Sequence, residues 1–199
     1  MMVVLELAAV HEQDLRSQLA AGYACLCLYG RLRCSDGNKL VAVDLEPIID
    51  DDGFFRGGVL EASSMKSKTS RSKEKKTAFL PVVAPMLGLT CENWFGSFQV
   101  AREVAGLPPI PTSNERPEDL EALQVLVLPC FAGGQYGNSP ISADELTYFV
   151  LSILRKAGFE EYELANVASH SLKATWLTDA GKTGVPVHSR QLLGYHVVK

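Results

Sequence analysis

The sequence predicts an α+β fold, mainly α-helical, with a small antiparallel β-hairpin or three-stranded sheet. Two patterns and one balance of residue types predict it. Apolar residues recur near helical spacing toward both ends, as in Leu15, Leu19, Tyr23, Leu26 and Leu28 and again in Leu146, Phe149, Val150 and Ile153. Two β-like runs flank a basic stretch in the middle. Hydrophobic residues are 47% and charged residues 21% of 199, enough apolar material for the core of one domain.

Taken in order, the first helix is predicted from about Val10 to Tyr29, with Gly30 as its stop. A short second helix begins at Ser35, whose hydroxyl can cap Asn38 and Lys39, and runs into Val43 and Leu45. Asp50, Asp51, Asp52 and Gly53 form a turn. Strands follow over about Phe54 to Ser63 and Thr77 to Val83, joined by a long loop from Lys66 to Lys76. Asn93 to Ala105 reads as a helix with Trp94, Phe98 and Val104 available for the core. Leu107 to Pro117, with Pro108, Pro109 and Pro111, is an irregular connection, and Gly133, Gly134, Gly137 and Pro140 mark another. Ser142-Ala-Asp-Glu145 is a capping box that opens a helix ending near Gly158. A helix from about Leu164 to Ala180 and a last one over Ser189 to Gly194 complete the chain.

Charge narrows the class of partner. The net charge is −4, but Lys66, Lys68, Arg71, Lys73, Lys75 and Lys76, with Glu74, concentrate +5 in one loop and leave −9 elsewhere. An acidic body with one basic loop points to a single anionic target. No apolar run approaches the roughly 18 residues of a membrane-spanning helix. The start, MMVVLELAAVHEQ, carries Glu6 and no basic leader, so it does not read as a secretory signal. Five cysteines, an odd number, fit reduced thiols better than a disulfide framework, and an intracellular protein is expected.

Several motifs fail. Gly181-Lys182-Thr183 lacks the glycine a phosphate-binding loop needs five residues earlier, where Trp176 stands. Cys25, Cys27 and Cys34 lack a second pair at zinc spacing, so no metal site is expected. What survives is three separated pieces able to converge on one phosphate. They are the turn Tyr29-Gly-Arg31-Leu-Arg33-Cys-Ser35-Asp36, the loop Met65-Lys66-Ser-Lys68-Thr69, and Ser169-His170-Ser171-Leu172-Lys173. His170 and Lys173, three residues apart, share a helix face, with Ala165, Ala168, Leu172 and Trp176 as the adjoining buried stripe. Leu192-Leu193-Gly194-Tyr195-His196 follows. Singly, the arginines read as surface charges, the lysines as a solvated loop or localisation signal, and the histidines as structural. Their order and spacing together favour a site.

In these motifs the chain resembles the tyrosine recombinase (phage integrase) family over about Leu15 to Lys199. Arg33 in Arg-Leu-Arg-Cys-Ser-Asp matches the family's arginine turn, and Lys68 before Phe79-Leu80-Pro81 matches its hairpin lysine, with Lys66 competing. His170 to Lys173 meets the His-x-x-Arg box, and Leu192 to His196 meets the Leu-Leu-Gly-His box. The resemblance implies an integrase-catalytic-domain-like fold that breaks and rejoins DNA strands for site-specific recombination or integration, through a 3′-phosphotyrosyl link and without a metal or other cofactor. By analogy Arg33 and Lys173 clamp the non-bridging oxygens, Lys68 protonates the leaving oxygen, His170 assists proton transfer and His196 hydrogen-bonds the phosphate. Lys66, Arg71, Lys73, Lys75 and Lys76 bind flanking phosphates.

The chain departs from the family pattern at three places. Lys173 replaces an arginine and so lacks a bidentate fork, Tyr195 is inserted before His196, and no tyrosine stands two to three turns after His196. Residues 1–199 are therefore expected to be one catalytic domain truncated before its nucleophile, without a separate N-terminal DNA-clamping domain. The expected partners are double-stranded DNA and other recombinase protomers, with no membrane, and the expected location is with DNA, in the nucleus of a eukaryote. A catalytically dead DNA-binding remnant of a mobile-element integrase is the alternative. A helical interaction domain whose basic loop is a nuclear-import signal is a third reading.

Overall fold

The computed structural model describes residues 1–65, 79–110 and 126–193. The chain is α+β, with eight helices and two antiparallel sheets among these residues. Helices α1 (Met2–His11) and α2 (Leu15–Tyr29) replace the single helix predicted from Val10. They part at Glu12–Asp14, where Asp14 leaves helical geometry and its carboxylate accepts from the Ser17 N–H (3.0 Å) and hydroxyl (2.7 Å) as the cap of α2. Every residue from Leu19 to Tyr29 is buried, so α2 is the axis of the core rather than a one-sided surface helix.

Three elements pack on that axis. On α1, the Glu6 carboxylate is fully buried and accepts from the Tyr29 hydroxyl and from the N–H groups of Leu89 (2.9 Å) and Thr90 (2.8 Å). These bonds tie the 88–90 loop to both helices, and the buried charge is compensated by three donors. Helix α4 (Trp94–Val104) buries Trp94, Phe95 and Phe98 against α2, as expected for the first and last of these. A Cβ on Gly22 would sit 2.5 Å from Phe98 Cδ2, so the glycine lets the two helices meet. Val104 is 70% exposed, contrary to its predicted core role, because the buried face of α4 runs through Phe98, Ala101 and Arg102.

The short helix α3 (Cys34–Gly37) ends after one turn, and the chain becomes strand β1 (Leu40–Ile49). Val43 and Leu45, predicted in a helix, lie in this strand, whose Val-x-Val alternation and Pro47 suit a sheet edge. Strands β2 (Phe55–Met65) and β3 (Phe79–Pro85) complete the sheet in the order β1-β2-β3. Leu60, Ala62 and Ser64 face the core along β2, at the period of two that a half-buried strand requires. The predicted turn at Asp50 is present, with its carboxylate accepting from the N–H groups of Asp52 and Phe54.

Strands β4 (Pro129–Ala132) and β5 (Gln135–Pro140) occupy the segment predicted as irregular. Gly133 and Gly134 form a two-residue turn with φ of 61° and 84°, the left-handed pair a tight hairpin needs. Helix α5 (Ala143–Lys156) starts on Ser142, whose hydroxyl accepts from the Glu145 N–H. The reciprocal half of the predicted capping box is not made, since Glu145 Oε1 instead accepts from the Phe131 N–H of β4. The helix predicted from Leu164 is split into α6 (Glu161–Leu164) and α7 (Ser169–Lys182). Ala168 is extended, and its N–H donates to the Ser171 hydroxyl, so a serine inside the first turn ends the break. Ala165 is exposed as a result and does not join the stripe of Leu172 and Trp176. Helix α8 (Val187–Leu193) is last. No helix among the described residues is long and apolar enough to cross a membrane.

Candidate functional site

The end of α2 sets the first wall of the site. The Arg31 N–H bonds to the Leu28 carbonyl and the Leu32 N–H to the Cys27 carbonyl, the paired closure of a Schellman motif. That motif places one residue in the left-handed region, usually glycine, and here it is Arg31 with φ of 54°. The arginine has a positional reason to be there. Its guanidinium lies over the Trp176 ring of α7, 5.4 Å from the centroid, and its Nη2 reaches the Val83 carbonyl of β3 at 3.5 Å. Leu32 is fully buried, so the chain is pinned on both sides before Arg33 emerges in extended geometry ahead of α3.

Helix α3 is held from three directions. The Tyr23 hydroxyl donates to the Cys34 carbonyl (2.5 Å), the Ser64 hydroxyl donates to the Asp36 carbonyl (2.8 Å), and Asn38 Oδ1 accepts from the Leu128 N–H (2.8 Å). The second wall comes from α7. Its buried Leu172 faces the core, and the Ser169 N–H donates to Thr147 Oγ1 of α5 at 2.9 Å, which fixes the first turn. His170 then stands exposed and Lys173 half-buried on the side of α7 that looks toward α3.

Arg33, His170 and Lys173 line one cavity of about 410 Å³. Cys34, Ser35 and Ala143 complete one side of it, and Ser169, Ala174 and Leu177 the other. No carboxylate lines it among the described residues, so the charged groups on its walls are cations, beside the amino end of α7. Burial, and then the neighbouring Arg33 charge, hold the Lys173 ammonium below the usual lysine range, while Asp36 pulls it back up. An anion in the cavity would relieve that repulsion. Burial raises the Cys34 thiol to about 11, so this cysteine stays protonated and is a poor nucleophile at neutral pH.

Neither a family model nor a curated protein matches the chain. The site is therefore read from its own residues. Three of the five predicted catalytic residues, 137 positions apart in sequence between Arg33 and His170, come together. Lys68 and His196, and the predicted phosphate-binding Lys66, Arg71, Lys73, Lys75 and Lys76, lie outside the described residues. The predicted lysines fall between the end of β2 at Met65 and the start of β3 at Phe79, and Met65 directly follows Ser64, whose hydroxyl bonds to α3.

Sequence reasoning named Asn38 only as a group for Ser35 to cap, whereas α3 starts at Cys34 with no side-chain cap, and it did not single out Thr147 or Arg102. Asn38 and Thr147 position α3 and α7, and a lone amide or hydroxyl carries no periodic signal. Arg102 is 1% exposed and donates to the carbonyls of Val127, Pro108 (2.5 Å) and Leu126 (3.4 Å). Burial lowers it to about 10. It stitches the chain on either side of residues 111–125 and is structural. Among the described residues no group of three or more His, Cys, Asp or Glu side chains is placed to hold a metal ion, and no tyrosine lines the cavity.

Proposed function

We propose that the chain binds DNA by seating one phosphodiester in the Arg33–His170–Lys173 cavity, as the phosphate-gripping part of a tyrosine-recombinase-type strand cleavage and rejoining reaction. The observation that carries this reading is the convergence of two cations and an imidazole, remote in sequence, on one carboxylate-free cavity. In that role Arg33 offers a planar fork to two non-bridging oxygens and Lys173 a point charge to one. His170, on the exposed rim, is placed to pass a proton or hold an oxygen. Charge that builds on the phosphorus oxygens in the transition state meets donors already aimed at it. The basic residues between Lys66 and Lys76 would add affinity that depends on salt and little on sequence.

Absence of a tyrosine from the cavity walls among the described residues favours a second reading, a binding module that grips phosphate without cutting. A nicked duplex that releases its short product on cleavage separates the two. Cleavage leaves a covalent protein–DNA adduct that survives denaturing electrophoresis. Binding lost in Arg33→Ala, with no adduct even when a C-terminal segment carrying a tyrosine is appended after Lys199, assigns the binding module alone. Binding unaffected by Arg33→Ala removes both.

A further inference from the structure

A second cavity, about 700 Å³, abuts the cationic one, and Cys34, Ser35 and Ala143 line both. Its floor holds Asn38, which is 2% exposed. The Leu128 N–H donates to Asn38 Oδ1, which fixes which end of the amide is oxygen and leaves the NH₂ as a donor. That nitrogen is buried with no hydrogen-bond partner among the described residues. An unmade bond of this kind costs about 1–3 kcal/mol, and Asn38 is one of the residues that line the cavity. The remaining walls are largely apolar, with Leu126, Pro140 and Ile141, and Lys39 brings a further cation. No carboxylate lines this cavity either among the described residues.

We infer that this second cavity is a subsite for a nucleobase attached to the phosphate held by Arg33 and Lys173. The inference rests on the phosphate reading and adds what lies next to the phosphate. Apolar walls suit the faces of a flat ring, the Asn38 NH₂ suits an acceptor on its edge, and the shared wall of Cys34, Ser35 and Ala143 keeps ring and phosphate within one nucleotide of each other. Because Asn38 Oδ1 is already occupied, the amide presents only a donor. The subsite therefore demands an acceptor edge without selecting one base, since each base has such an edge. A base in this cavity is unstacked from its neighbours, so single-stranded or distorted DNA is favoured over an ideal duplex.

The test is the affinity of a short single-stranded DNA in which one residue is thymidine and all others are abasic, compared with the same strand made abasic at that residue too or carrying there a difluorotoluene, a thymine shape with poor acceptors. With the wild type, the abasic and difluorotoluene strands bind about tenfold more weakly, the size of one buried hydrogen bond. Asn38→Asp keeps the acceptor for the Leu128 N–H and replaces the donor, and it abolishes the difference between thymine and difluorotoluene. Asn138→Trp, at an exposed rim position that leaves the core untouched, fills the cavity and brings the thymine strand down to the abasic affinity. Equal binding of all three strands to the wild type, with Arg33→Ala weakening each, overturns the base subsite and leaves the phosphate site standing. No effect of Arg33→Ala on any strand overturns both.

Discussion

Lys173 sits half-buried beside Arg33, and desolvation followed by that like charge depresses its pKa. Removing Arg33 therefore moves Lys173 upward, toward the ordinary lysine value. Side-chain NMR titration of Lys173 in Arg33→Ala checks this, and an unchanged or lower pKa would mean the two charges do not sense each other. The same ordering fixes the pH response of anion binding. Affinity carried by the charged ammonium is present below the Lys173 pKa and is lost as pH rises through it, at a pH below the usual lysine range. Lys173→Arg, which stays charged across that window, removes the alkaline loss in a binding titration. Arg31 differs in kind from these two, for its left-handed backbone and its place over Trp176 mark it as a clamp between α2, β3 and α7.

Between elements, the site depends on how α7 is held to α5. Thr147→Val keeps the shape of the side chain and deletes the acceptor of the Ser169 N–H, leaving a part-buried amide unpaired. A loss of about 1–2 kcal/mol in denaturant unfolding is expected, with weaker phosphate binding. Gly22→Ala tests the α2–α4 contact, where the added methyl meets the Phe98 ring. Overpacking at such a contact costs about 1–3 kcal/mol, against a gain in helix propensity of about 1, so chemical denaturation should show net destabilisation.

Helices α4 and α5, with their apolar stripes, were legible from periodicity, as were the apolar run of α2 and the two strands on either side of the Lys66–Lys76 segment. The split between α6 and α7 was not, because a serine hydroxyl inside the turn does the capping and no glycine or proline marks the break. Helix α1 was missed for a related reason. Its residues are apolar around most of the circumference, with no stripe for a period to detect. The hairpin of β4 and β5 hid behind its glycines, which read as a loop until their paired left-handed geometry makes them a turn.

At the scale of the whole molecule, charge is unevenly distributed between an acidic body and a basic segment from Lys66 to Lys76. That segment predicts duplex binding that falls steeply with salt, because lysines and arginines on phosphates release condensed counterions. A flat salt response would take the segment out of the interface. Part of the site was readable because order and spacing put Arg33, His170 and Lys173 in a familiar arrangement, and the fold then brings the three to one cavity. The neighbouring cavity was not readable, since it depends on an amide whose oxygen is engaged by a residue 90 positions away.

The most direct measurement is the affinity of a labelled DNA duplex for the wild type, Arg33→Ala and Lys173→Ala, followed by fluorescence anisotropy, with circular dichroism showing each variant folded. Loss of a charge-assisted bond to phosphate predicts that each substitution weakens binding about tenfold or more. Folded variants that hold DNA as tightly as the wild type would contradict a phosphate in this cavity.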